Sequence, residues 1–240
     1  MKAGLITYDT LWALFKPGCT VYTTCRGSGK PRGVIFDAGE ERKRDDIIYY
    51  RLACRFIDYD GKTFGEAGVV LGITKFLGAK PIHTLPAFPL QYHPDCDSVR
   101  RNLIHCGRKF YDLTSMHLQH CQGSAFVMEE DEVIKLNIDS CVAVDAHFFR
   151  HMNPNYSRPR LFDSKAYFCA NDFFEEQCLK KKEESKKSGL GVESMTDDDY
   201  ITCCPTVQCF SFREKQFCMT DFAIFVVTAN VDQWNAQLET

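Results

Sequence analysis

Apolar positions along the chain change period several times, and each change marks an element boundary. Leu11, Trp12, Ala13, Leu14 and Phe15 follow Asp9 and Thr10, two capping residues, and precede Pro17-Gly18, so a short buried helix is expected there. Residues 21–25 and 33–37 read as strands on either side of the turn Gly27-Ser28-Gly29-Lys30-Pro31. The polar run 40–46 reads as an exposed loop. Residues 47–59 and 63–73 are rich in branched and aromatic side chains, with Asp60-Gly61 as their hairpin turn. Four prolines between positions 81 and 94 predict an extended segment on the surface or at a sheet edge.

Helical spacing is clearest at Val99, Leu103, Cys106, Phe110 and Leu113, which share one face and predict an amphipathic helix over about 97–113. Gly107 interrupts that helix at a cost of roughly 1 kcal/mol relative to Ala. Strands are expected at 125–128, 133–138 and 141–144, with an acidic turn at 129–132 and a short helix capped by Asp145 that carries Phe148 and Phe149. Residues 173–187 suit a helix, 180–199 a polar linker, and 200–212 and 222–227 strands. Strands cluster instead of alternating with long helices, so the expected class is α+β, a strand-rich mixed domain. The expected division is a globular domain over 1–175, a charged helix and linker over 176–199, and C-terminal strands over 200–240 packing on the same domain.

Composition narrows the function classes. Of 240 residues, 45% are hydrophobic and 13% aromatic, enough to build a sizeable core. A net charge of −3 argues against a basic nucleic-acid footprint, so no nucleic-acid partner is expected. No apolar run approaches the roughly 18 residues that span a bilayer, so no membrane partner is expected either. The start carries no secretory signal pattern. The 13 cysteines, an odd number, are therefore expected as thiols in cytoplasm or nucleus.

Several short motifs invite a chemical reading and lack parts of it. Gly27-Ser28-Gly29-Lys30 resembles the end of a phosphate-binding loop, but Thr24 stands where its first glycine belongs and Pro31 where the Mg²⁺-binding hydroxyl belongs. A hairpin turn is expected instead. Ala125-Phe126-Val127-Met128-Glu129-Glu130 imitates an acid-ended ATPase strand with no phosphate loop to complete. His93, Cys96, His105, Cys106, His117, His120 and Cys121 have local spacings that suit zinc, against ordinary core roles for thiols such as Cys106. The series Cys204, Cys209 and Cys218 sits among strand residues, and His147-x3-His151 lacks the glutamate of a metalloprotease helix. Asp58-x-Asp60-Gly61 has its glycine too early for a calcium loop. No hydrolase signature surrounds any cysteine. No catalytic, cofactor-binding or metal-ligating residue is assigned, and no cofactor is expected.

A set of ordered blocks carries a family resemblance. They are Leu11-Trp12-Ala13-Leu14-Phe15-Lys16-Pro17, Val21-Tyr22-Thr23-Thr24-Cys25, Gly29-Lys30-Pro31-Arg32 and Asp58-Tyr59-Asp60-Gly61-Lys62-Thr63-Phe64-Gly65. Leu85-Pro86-Ala87-Phe88-Pro89-Leu90, Tyr92-His93-Pro94, Val144-Asp145, Phe148-Phe149 and Met152-Asn153-Pro154-Asn155-Tyr156-Ser157-Arg158-Pro159 follow. Cys204-Pro205-Thr206-Val207, Phe210-Ser211-Phe212 and Lys215 complete the set. Together they resemble the uncharacterised accessory region that precedes the motor module in a group of fungal AAA-type ATPases. Cys209 departs from the glycine usual there. The resemblance implies an ATPase module downstream in relatives, and Thr240 comes before such a module fits, so a shortened member is expected. It implies a non-catalytic accessory domain that recruits a protein partner, an AAA ATPase or its client, and does not itself bind or hydrolyse ATP. A zinc-binding structural module and a fragment of a truncated AAA ATPase are the alternatives. The proline-aromatic segments make Phe88, Pro89, Tyr92, Asn153, Tyr156 and Arg158 the candidate partner contacts, with stiffened structural crossings as the competing role.

Overall fold

The computed structural model describes residues 4–129, 132–153 and 195–221, and the backbone of 161–162 and 225–226. Strand formers dominate these stretches and pair mostly through hairpins, giving a strand-rich α+β architecture. β1 (Leu5–Thr7) leads into a 3-10 helix, Tyr8–Ala13. That helix starts ahead of the expected Asp9 and Thr10, with Thr7 as its N-cap and the Thr7 and Thr10 hydroxyls 2.9 Å apart. Leu11 and Leu14 are buried, whereas Trp12 is 70% exposed.

β2 (Thr20–Thr24), β3 (Pro31–Arg44), β4 (Ile47–Tyr59) and β5 (Phe64–Thr74) form an antiparallel meander. β6 (Ala79–Pro81) pairs with β1, and β7 (Phe88–Pro89) returns to the free edge of β2. On the opposite edge β10 (Leu161–Phe162) pairs with β5, so the six-stranded order is β10-β5-β4-β3-β2-β7. Under one face Leu52, Cys54 and Phe56 of β4 pack with Val21, Val34, Phe36 and Phe15.

The expected loop at 40–46 is instead the outer half of a long β-arm. Glu40 through Arg44 pair with Arg51 through Ile47, and Asp45-Asp46 makes the two-residue turn with φ of 49° and 67°. Aspartate tolerates that left-handed geometry better than most residues. Pairing with β4, together with the Glu40 contacts to Arg42 at 2.9 Å and Arg51 at 3.3 Å, turns a charged run into strand.

At a bulge between Phe36 and Ala38 the buried Asp37 pairs with Arg55, which also meets Glu66 at 2.9 Å. Burial raises the Asp37 carboxyl above its ordinary 3.8, more than the Arg55 guanidinium lowers it. A carboxyl raised by folding holds its proton more tightly in the native state. Its contribution to stability is complete below the ordinary value and is lost as pH rises through the raised one. Asp37→Asn is therefore expected to gain stability relative to the native chain as pH rises above about 4. Urea titrations of both proteins across that rise check this, and parallel curves would refute it.

The second sheet follows α1 (Cys96–Asp112), where Leu103 and Phe110 of the expected face are buried, Val99, Cys106 and Leu113 are half-buried against the core, and Gly107, expected only as an interruption, is buried with them. β8 (His117–Glu129) and β9 (Glu132–Val144) pair along their whole lengths, longer than the three short strands expected. After α2 (Ala146–Met152) and α3 (Asp197–Ile201) come β11 (Thr206–Ser211), β12 (Gln216–Asp221) and β13 (Phe225–Val226). The order is β12-β11-β9-β8-β13, and Met219 also pairs with Phe126, so the sheet curls back upon β8. Cys121, Ala125, Ile138, Val142, Val207, Cys209 and Cys218 fill the space it encloses.

Residues 197–199, expected in a linker, open α3 with a capping box between Thr196 and Asp199. Asp197 and Asp198 reach α1 through Arg108 at 3.0 Å and Arg100 at 2.6 Å. β3 and β4 part beyond the Ile35–Arg55 pair, and the segment after α3 runs beside β4: Ile57 donates to the Thr202 carbonyl, and Cys204 donates to that of Ile57. This wedge joins the two sheets. The helix expected at 173–187 lies outside the described residues. No helix among the described residues is long and apolar enough to cross a membrane.

Candidate interaction site

Two of the sequence candidates lie in the core. β7 is held to β2 with Phe88 opposite Tyr22, and Phe88 is only 3% exposed. The Tyr22 ring packs on Phe88 at 5.2 Å and on His93 at 4.8 Å. Pro89 is buried and Tyr92 half-buried. The proline-rich segment is thus a crossing that seals an edge, and Phe88 and Pro89 present no surface to a partner. Asn153 caps α2, its Nδ2 donating to the Phe149 carbonyl at 2.9 Å. Tyr156 and Arg158 lie outside the described residues.

The zinc candidates are dispersed. The His93 Nδ1 accepts from the Asp95 amide, the His117 Nε2 meets Ser115 at 2.7 Å, and the His120 Nε2 meets Asp139 at 2.9 Å. Cys121 points into the curled sheet. Among the described residues no three His, Cys, Asp or Glu side chains are grouped to hold a metal. Gly27-Ser28-Gly29-Lys30 is the β2–β3 turn, closed by Gly29 N–H donating to the Cys25 carbonyl. A Cβ on Gly27 would fall 2.1 Å from the Phe126 ring, so this turn abuts β8. Asp60 caps its own turn by accepting from the Lys62 and Thr63 amides. Most described thiols are held protonated by burial: Cys54 is pushed up to about 12 and Cys204 to about 11.

What the fold does bring together is phenylalanine. Asp145 accepts from the Phe148 amide and starts α2, as its position in the sequence anticipates. Phe149 then turns inward at 2% exposure while Phe148 stays 47% exposed. Both rings meet Phe217 of β12, at 5.2 Å and 6.0 Å respectively. Phe217 faces Phe210 across the hairpin at 5.0 Å, and Phe210 meets Phe212, itself 38% exposed, at 5.8 Å. All but the tilted Phe148–Phe217 pair are edge-to-face, an arrangement favourable beyond simple burial. Met152, also exposed, follows Phe148 by one turn of α2. The motifs Phe148-Phe149 and Phe210-Ser211-Phe212 were visible separately; Phe217 was not singled out. The signal for it is the hairpin count, since a four-residue loop after Ser211 puts Phe217 opposite Phe210.

This arrangement defines a mixed α+β domain with a half-exposed aromatic surface. Residues 1–94 match a family described as a domain of unknown function (DUF7025). The match takes in β1 to β7 and stops just before α1. No curated protein and no solved structure matches the chain.

Proposed function

We propose that the chain is a non-catalytic accessory domain that recruits a protein partner, an AAA-type ATPase module or its client, without handling ATP itself. The observation that carries this reading is the convergence of Phe148, Phe210, Phe212 and Phe217 over the buried Phe149, with Phe148 and Phe212 exposed. Aromatic and methionine side chains are enriched where proteins meet, and exposed clusters of them mark such places. The family resemblance of the sequence blocks supplies the class of partner. Gly27-Ser28-Gly29-Lys30 supports the non-catalytic half of the reading, because it is occupied as a hairpin turn against Phe126.

The test supplies an AAA module of the resembling ATPases in trans. Titration calorimetry is expected to show binding to the native chain and at least a tenfold loss for the double variant Phe148→Asp, Phe212→Asp. Both side chains are partly exposed, so the variant should stay folded, its unfolding midpoint lowered by only a few degrees. ATP turnover by the isolated chain, or equal affinity for both proteins, would sink the reading.

A further inference from the structure

Beneath the phenylalanines two thiols face each other. Cys209 of β11 is in direct register with Cys218 of β12, and their sulfurs are 3.5 Å apart. Both are buried, at 1% and 2% exposure. Directly opposed residues of antiparallel strands hold their Cβ atoms about 4.5–5.5 Å apart. A disulfide needs roughly 3.5–4.5 Å, so a small closure and two side-chain rotations bring the sulfurs to bonding distance. None of the described cysteines is in a disulfide.

We propose that Cys209 and Cys218 are a reversible, peroxide-oxidised dithiol that locks the β11–β12 hairpin. The two thiols are electrostatically unlike. The sulfur–sulfur hydrogen bond lowers the Cys218 thiol against the effect of burial and, together with burial, raises Cys209, whose thiol also reaches the Cys218 carbonyl at 3.6 Å. Cys218, the lowered thiol of the pair, attacks first, and Cys209, 3.5 Å away, resolves. The Cys218 sulfur attacks one oxygen of hydrogen peroxide, the O–O bond breaks, and hydroxide leaves with the proton that Cys218 gave up. The resulting sulfenic acid is attacked by the Cys209 sulfur. An S–S bond forms, the S–O bond breaks, and the hydroxyl leaves as water with the Cys209 proton. Two thiols lose two electrons, and one peroxide becomes two waters.

Peroxide suits this place because it is small and neutral, and the hairpin loop above the pair, residues 212–215, is exposed. Bulkier disulfides need the hairpin to open. Cys121, Cys203 and the half-buried Cys106 and Cys204 share this core; Cys121, on β8 opposite Ser140, is in register with neither partner. Oxidation ties residues 209 and 218 into a short ring and leaves Phe210 and Phe217 on a fixed platform.

The experiment exposes the whole native chain to hydrogen peroxide, alkylates remaining thiols under denaturing conditions, and maps the peptides by mass spectrometry. The expected first product is one linked peptide joining 209 and 218, undone by dithiothreitol. The unfolding midpoint of the oxidised chain should rise by roughly 5 °C, as closing a short loop restricts the unfolded chain. Cys209→Ser and Cys218→Ser should each abolish the link, and Cys218→Ser should also slow peroxide consumption at this site. A first link elsewhere, such as to Cys121, overturns the proposal. So does full alkylation of both residues after other thiols have been oxidised. If a serine variant fails to fold, the map of the native chain decides alone.

Discussion

Replacing Gly107 with alanine is expected to destabilise the chain by about 3 kcal/mol, although the same change normally strengthens a helix. A Cβ at this position would sit 2.1 Å from the carbonyl oxygen of Tyr200, and backbone on both sides leaves nothing flexible to yield. The propensity gain of roughly 1 kcal/mol is outweighed by displacing α3. Displacement would also stretch the Arg100–Asp198 and Arg108–Asp197 pairs and separate Tyr111 from Tyr200. On the other side of the same segment a Cβ on Gly33 would meet the Ile201 carbonyl at 2.5 Å. Gly33→Ala should therefore cost a similar amount. The double variant should cost clearly less than the sum, since once the segment has lifted away the second methyl group meets little. Urea unfolding of the four proteins measures this. An unchanged or raised midpoint for Gly107→Ala would mean that α3 does not dock as described.

Phe149→Ala should cost about 4 kcal/mol, in the range for large aromatic truncations in well-packed cores. Its ring is buried between α2 and the β11–β12 hairpin and makes a perpendicular contact with Phe217 at 5.2 Å. The adjacent Phe148 is nearly half exposed, and Phe148→Ala should cost under about 1 kcal/mol. Thermal unfolding of the two single variants distinguishes a helix anchored through one ring from a helix held by both. Equal losses would refute the assignment of Phe149 as anchor and Phe148 as surface.

Local pattern exposed part of this architecture. The face of α1, the β4–β5 hairpin at Asp60-Gly61 and the Asp145 cap follow from periodicity and turn chemistry within about ten residues. The outer arm was hidden because Glu40 to Arg44 look solvated one at a time. They become strand only through partners on β4. α3 was hidden because three consecutive aspartates resemble a linker until Arg100 and Arg108 stand opposite them. Gly107 carried a clue: a glycine on the apolar face of a helix often marks where another backbone comes close. At the candidate site, each aromatic motif was readable where it stood. Their meeting on Phe217 depends on β9 pairing with β11, a contact no local window contains. The burial of Phe88 and Pro89 is hidden for the same reason, because proline and aromatic content marks a surface segment only when nothing such as Tyr22 lies above it.

The wedge beside β4 bears on how the protein emerges from synthesis. Ile57, opposite Glu66 of β5 on one side, is hydrogen-bonded on the other to Thr202 and Cys204, roughly 145 residues later in the chain. At ordinary elongation rates the nascent chain waits on the order of ten seconds between making the two. Throughout that interval the first sheet has an open seam, with Ile57 and Gly33 uncovered and backbone groups unanswered. The stretch that matches the family, residues 1–94, thus ends well before the segment that fills this seam. A ribosome-bound intermediate ending before α3 should be the form most prone to engage a chaperone or a stray strand.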